Sequence, residues 1–378
     1  MGKTKTVDWS HLPDELWPLI AKHLIATIDV LRFRSVCKSW RSSLPLPLPH
    51  SHCHTLFSPQ IRIPHANFHL LQTKIYRLEP HLSQHSSLSS SSSNSKGWII
   101  KVGESKSIPL RLLDPFTNAR VSLTHRRFPS DASPKVLNLV NFRVVELIEA
   151  YTLNFGSGLL DEEDEDQAEL GLYMPVPEIR KVVLFEGRMV FALYMDGNLG
   201  VSIIGDENWS VLDGGNQRYD DVMLHKGQVY VVDKWGTILW IDCSSLKLVQ
   251  FSPFLCGFGK RKHLVEAGGS LYVVDMYIEG EPDNPMGMYY EVIDIKVYKL
   301  DEEWGRWLDV KNLGDVLFVL GKDSNFSLSA QDYYGCEGNC IYFSSAGRAC
   351  GFSLESSKFK SPNLFWPCPS LFHPKFNL

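Results

Sequence analysis

The chain has 378 residues, 44% of them hydrophobic, and a formal net charge of −5; it is too long for one minimal domain and apolar enough for a sizeable core, so two units are expected. Residues 1–49 hold 7 Lys/Arg against 4 Asp/Glu, leaving 31 against 39 in the remainder. Neither part has the concentrated positive charge that a phosphate backbone requires, which argues against nucleic acid as a partner. No run of about eighteen apolar residues occurs, so no spanning helix and no membrane association are expected.

The first predicted elements are helical. In "LPDELWPLIAKHL" the residues Leu16, Leu19, Ile20 and Leu24 recur at helical spacing and line one face of a helix beginning near Pro13, with Asp14 and Glu15 in its first turn. Pro18 has no backbone donor, so the helix either starts later or bends there. Asp29 is placed to cap a second short helix through Leu31 and Phe33, and "VCKSWRSSL" supplies a third, stopped by "PLPLPH". The expected organisation is a helical unit over 7–45, a Pro/His-rich linker over 46–60 and a β domain over 61–378.

Beyond the linker the period changes to that of strands. "MVFALYM", "QVYVVD", "TILWID", "SLYVVDMY" and "VLFVL" are clear cases, and "VIDIKVYKL" alternates, predicting Ile293, Ile295 and Val297 inward against Asp294 and Lys296 outward. A Ser-rich stretch at 86–95 and an acidic one at 161–169 hold too little apolar surface to offset the entropy of ordering, and are read as solvated loops.

A weak repeat runs through the strands. Glycine leads into an apolar pair ending in an aromatic at "GRMVF", "GQVY", "GSLY" and "GNCIY", which places Phe191, Tyr230, Tyr272 and Tyr342 at spacings of 39, 42 and 70. A period near 40 with several short strands per unit is the signature of a β-propeller. The last gap contains "EGEPDNPMGMYYE", read as a hairpin or loop extension. A β-sandwich would need two copies, and no second boundary is present. The predicted fold is therefore mainly β with a small N-terminal all-α module, the β part a propeller of roughly five to seven blades.

A helical unit of some forty residues has too little core to stand alone, so its apolar stripe should be buried against something else. Here "WSHLPDELWPLIAKHLIATIDVLRFRSVCKSWRSSL" resembles the F-box, a three-helix motif that docks a protein onto a Skp1-like adaptor of a cullin-RING ubiquitin ligase. The resemblance is carried by Leu12–Pro13, Glu15–Leu16, Ile20, Leu24 and the Val36-Cys37-x-x-Trp40-Arg41 ending. It implies that Leu12, Pro13, Leu16, Ile20, Leu24, Leu31, Val36, Cys37 and Trp40 form the adaptor interface. Three further stretches, "GWIIKVGESKSIPLRLLDPFTNARVSL", "LGDVLFVLGKDSNFSLSAQDYYGCEGNCIYFSS" and "WPCPSLFHP", are similar to the DUF295 (KIB-like) β-propeller that follows the F-box in a plant group of SKIP23-like proteins. That implies a propeller presenting an unidentified protein substrate for ubiquitination, in a non-catalytic ligase subunit that reaches a cullin through its adaptor. The alternative is a non-degradative F-box scaffold whose propeller binds a regulatory partner.

Other constellations have plainer readings. "HSHCH" at 50–54 and "CEGNC" with Cys350 lack the paired spacing of a closed zinc site and read as linker histidines and small buried thiols, so no metal or cofactor is expected. Asp196, Asp233 and Asp275 could form the carboxylate ring of a propeller hydrolase, but their place before turn glycines favours side chains that hold hairpin turns. The Trp-rich strands read as core packing, with one or two of Trp209, Trp235, Trp240, Trp304 and Trp307 left for partner contact. The eight cysteines follow no secreted framework and no signal-peptide stretch is seen, which predicts reduced thiols in an intracellular protein of the nucleus, the cytoplasm or both. "MGKTKT" fits the loose pattern for acylation at Gly2, as many unmodified N-termini do.

Overall fold

A computed structural model describes residues 13, 15–21, 33–34, 36–43, 60–63, 66–80, 96–103, 111–119, 142–155, 178–206, 208–212, 217–280, 291–345 and 348–360. Among the described residues, the short helices α1 (Leu16–Ala21) and α2 (Lys38–Ser43) precede twenty-two strands. The predicted loops at 86–95 and 161–169 and the "HSHCH" cluster lie outside the described residues. None of the described helices is long and apolar enough to cross a membrane.

Helix α1 begins at Leu16, where the backbone N–H of Leu16 donates to the Pro13 carbonyl at 3.0 Å. Pro18 thus falls in the first turn, where a missing N–H costs nothing. Of the two outcomes open in the sequence, the later start is the one adopted.

The strands form four sheets and five units. A nine-stranded sheet holds β1 (Gln60–Ile63), β2 (Ala66–Pro80), β3 (Trp98–Gly103), β4 (Arg111–Leu113) and β5 (Phe142–Phe155) as one unit. Its β5 pairs at Tyr151↔Val182 with a second unit, the meander β6 (Ile179–Phe185), β7 (Met189–Tyr194), β8 (Leu199–Ile203) and β9 (Trp209–Leu212). The third is β10 (Tyr219–His225), β11 (Gln228–Asp233), β12 (Ile238–Asp242) and β13 (Lys247–Gln250); the fourth is β14 (Arg261–Ala267), β15 (Ser270–Glu279), β16 (Glu291–Asp301) and β17 (Arg306–Val310). The fifth takes the order β19 (Asn325–Ser329), β18 (Val316–Leu320), β20 (Cys340–Ser345), β21 (Arg348–Ser353), β22 (Lys358–Lys360), with β18 and β20 parallel.

Apolar packing shows that the units close into a ring. Phe68 and Leu70 meet Val190 and Ala192 between units one and two; Phe191 and Leu199 meet Val222 and Val229 between two and three. Val232 and Ile238 meet Leu264 and Val273 between three and four, and Val274 and Val297 meet Phe318 and Ile341 between four and five. The fifth seam, Ile75 and Trp98 against Leu317 and Phe326, returns to unit one. Five seams for five units make a β-propeller, whose blades bury on their neighbours the faces that no single blade could bury.

Turn chemistry follows the sequence. Lys226–Gly227 and Gly268–Gly269 each join two strands through two residues with positive φ, the mirror-image turn that matches strand twist. The glycine-led aromatics Phe191, Tyr230, Tyr272 and Tyr342 all fall in strands that follow such turns or their counterpart before β20. The last spacing of 70 arises in part because β18 and β19 are interposed before β20.

One prediction of strand phase fails. Ile293 is 54% exposed while Val292 and Ile295 are buried. The β15–β16 ladder slips between Tyr277 and Ile278, pairing Tyr277 with Asp294 and Ile278 with Val292, so Ile293 is the extra residue of a bulge and turns outward.

Candidate partner-binding sites

The helical segment presents apolar side chains to solvent. Leu16, Leu19, Ile20 and Val36 are 39%, 53%, 38% and 55% exposed, and Pro13 is exposed as well. Behind them Phe33 is buried and its ring lies 4.6 Å from that of Trp40, centroid to centroid. Arg34 and Arg41 lock the connection by donating to one another's carbonyl oxygens at 3.1 Å, and the Trp40 N–H reaches Cys37 Sγ at 3.5 Å. Cys37 and Trp40 are half-buried. Of the predicted adaptor-facing residues, Leu12, Leu24 and Leu31 lie outside the described set. Leu19 belongs to the exposed stripe although it was not among them; its helical spacing was the signal. Phe33, the core of the unit, carried none.

The propeller axis holds a second site. A cavity of about 320 Å³ is lined by β6 (Ile179, Arg180, Lys181), β10 (Asp220, Asp221), β14 (Arg261, His263) and Asn325 of β19, with Phe116, Met195, Lys322 and Phe343 among its other walls. Asp221 organises it. Its Oδ1 accepts from Lys181 Nζ at 2.7 Å, and its Oδ2 accepts from the Leu264 N–H at 2.8 Å and from Asn325 Nδ2 at 2.6 Å. One carboxylate thus ties together four blades. Neighbouring Asp220 accepts from the Lys262 N–H at 3.0 Å and lies 3.9 Å from Arg180; burial raises its pKa against the pull of Arg180, Lys262 and Arg261. Burial also pushes His263 down to about 3, because its half-buried ring meets the cavity rather than bulk water, so it stays neutral near neutral pH.

Two more buried pairs complete the frame. Lys262 lies 3.0 Å from Asp275, both fully buried. Asp323 takes the Lys101 ammonium, Thr73 Oγ1 at 2.8 Å and Asn118 Nδ2 at 3.0 Å, bolting blade five to blade one. None of these long-range pairs was read from the sequence.

The remaining candidates resolve individually. Asp196 and Asp233 do hold turns: Asp196 accepts from the Asn198 N–H at 2.9 Å, Asp233 from Trp235 and Thr237 at 2.8 Å. Asp275 departs from that reading, since β15 runs on through it and turns it to Lys262. Gly259 is what makes room there, because a Cβ at that position would sit 2.2 Å from Asp275 Oδ1. Cys336, Cys340 and Cys350 are free; burial raises Cys336 to about 12 and raises Cys340, so both favour the thiol over the metal-binding thiolate. Among the described residues, Trp235 and Trp304 are the surface tryptophans, 67% and 70% exposed. Trp235 joins Phe254 and Phe258 at the blade ends from which β10 and β14 enter the axis, while Trp304 occupies the β16–β17 turn at the opposite ends.

Comparison with known proteins matches two families. Residues 9–45 match the F-box-like family and residues 65–361 the KIB1-4 beta-propeller family. The F-box protein SKIP23 of Arabidopsis thaliana is 32% identical, covering 96% of this chain and 95% of its own length. From the same plant, the putative F-box protein At1g65770 is 31% identical over 98% and 99%, and the F-box protein At2g26160 is 31% identical over 89% and 95%. With both family matches in place, the chain belongs to the F-box proteins of the KIB1-4 beta-propeller family.

Proposed function

We propose that this protein is the substrate-recognition subunit of an SCF-type (Skp1–cullin–F-box) ubiquitin ligase. The observation that carries the reading is the outward-facing Leu16, Leu19, Ile20 and Val36, four large apolar side chains on a unit too small to leave them wet without a partner. A Skp1-like adaptor covers that stripe, reached through Leu12, Pro13, Leu16, Ile20, Leu24, Leu31, Val36, Cys37 and Trp40, and brings the cullin. The propeller holds the target protein, and Trp235, Phe254 and Phe258 suit them to anchor it, because exposed aromatics gain most from burial at an interface. The chain performs no chemistry itself; it raises the local concentration of a target lysine. In this reading it works in the nucleus, the cytoplasm or both, where free thiols such as its six described cysteines persist.

The test is affinity capture of the wild type beside a Leu16→Ala, Ile20→Ala double variant, followed by mass spectrometry. The expected result is loss of adaptor and cullin with retention of other partners, at a cost of about 2–4 kcal/mol of adaptor binding. Adaptor retained in full by the double variant contradicts the interface. Adaptor captured without cullin, and a propeller partner whose abundance does not rise when this protein is removed, would favour the scaffold instead.

A further inference from the structure

The charges that line the axial cavity are spent on the fold. Lys181 is bonded to Asp221, Arg180 donates to the Met195 carbonyl at 2.6 Å and lies 3.9 Å from Asp220, and Arg261 interacts within the protein as well, while Lys322 is exposed to solvent. What remains for an occupant is neutral. The His263 ring and the Ser344 hydroxyl line the space and make no hydrogen bond among the described residues. Asn325 gives its amide N–H groups to Asp221 and to the Leu264 carbonyl, and its oxygen is a buried acceptor without a donor. Thr117 Oγ1 accepts from the Ala119 N–H and keeps its own proton to give. Between these polar groups Phe116, Ile179, Met195, Leu320 and Phe343 supply apolar wall.

We propose that this cavity binds a neutral small molecule, a hydroxyl group on an apolar body. A hydroxyl both donates and accepts, and the unspent groups ask for both: a neutral imidazole and a serine can do either, Thr117 has a proton to give and the Asn325 oxygen needs one. A carboxylate only accepts, and it would meet the Asn325 oxygen, Asp220 and Asp221; an ammonium only donates, and it would meet Arg180 and Lys181. Either ion would have to take its counterion from a pair the fold already uses. Water alone fits less well, because the apolar part of the wall offers an ordered water no hydrogen bond. A volume of about 320 Å³ lies at the small end of ligand pockets and suits a body of roughly ten to fifteen non-hydrogen atoms. The lining comes from every blade, so an occupant would touch the whole ring at once. Binding here is independent of the adaptor stripe.

The experiment is calorimetric titration of the intact chain with 4-phenylbutanol, with 4-phenylbutyrate and 4-phenylbutylammonium as charged analogues on the same body. The alcohol should bind saturably, and both ions roughly ten-fold or more weaker, because each carries a charge into a wall whose own charges are taken. His263→Phe should weaken the alcohol roughly five-fold, the factor that one neutral hydrogen bond confers. Met195→Trp, which fills the cavity without touching a charge, should abolish binding; thermal melting of each variant reports whether it is folded. No saturable binding of 4-phenylbutanol to folded wild type, which would leave the cavity to water, would overturn the proposal. So would either ion binding as tightly as the alcohol, or undiminished binding to folded His263→Phe or folded Met195→Trp.

Discussion

The tetrapeptide Tyr-Val-Val-Asp occurs twice, at 230–233 and 272–275, and its two aspartates do different work. Asp233 ends β11 and caps a turn closed by Gly236; Asp275 lies inside a ten-residue strand and neutralises a buried lysine. What separates them is the residues beyond the tetrapeptide and a Lys262 on the neighbouring strand, so local reading assigned the first and misassigned the second. Asp221 is further from legibility still: its partners lie 40, 43 and 104 residues away, and nothing periodic marks them. Removing this carboxylate leaves Lys181 as a buried charge without its counterion, together with a buried amide and a buried N–H without an acceptor. Asp221→Ala should therefore cost about 3–5 kcal/mol in urea unfolding, the penalty for breaking a buried pair from one side. A change below about 1 kcal/mol, the range of surface pairs, would show that the four-blade junction does not hold the axis together.

Elements were the most readable scale. Strand period, glycine-closed turns and the spacing of glycine-led aromatics are local signals, and β11, β12, β15 and β18 fall within a residue or two of where they point. Register is different, because one extra residue reverses every side chain beyond it. The bulge at Ile293 answers to the pairing of β16 with β15, which strand alternation does not encode. Two substitutions test it. Ile293→Ala should change stability by less than about 0.5 kcal/mol, as an exposed position does. Ile295→Ala, two residues along and buried, should cost about 2–5 kcal/mol. Equal losses at the two sites in chemical denaturation would restore the uninterrupted alternation. The parallel pairing of β18 with β20 was equally hidden, since parallel partners are joined by a crossover rather than a hairpin signal.

At the scale of the molecule, two of the three stretches that resembled a DUF295 propeller, around Lys101–Asn118 and around Asp323, meet where the ring closes. Burial alone would raise the Asp323 carboxyl, but the Lys101 charge and the bonds from Lys101, Thr73 and Asn118 outweigh it and hold the pKa below its ordinary value. The unfolded chain therefore takes up this proton first: the closure contributes fully above the ordinary aspartate value of about 4 and is lost as pH falls through the lower folded value. Thermal melting below pH ~4 should show a falling midpoint in the wild type and a flatter profile in Asp323→Asn, which starts less stable at neutral pH; parallel profiles would remove Asp323 from the acid response. Blade number lay beyond sequence reading because the fifth unit carries a fifth strand and stretches the repeat, whereas the helical stripe was readable because Leu16, Leu19 and Ile20 recur at a local helical spacing that needs no distant partner to be seen. The most direct measurement of the central claim is hydrogen exchange on the intact chain titrated with a purified Skp1-like adaptor. A one-to-one complex with new protection at residues 15–20 and 36–40 and little change in the blades is the predicted result; no complex, or protection confined to the propeller, would contradict it.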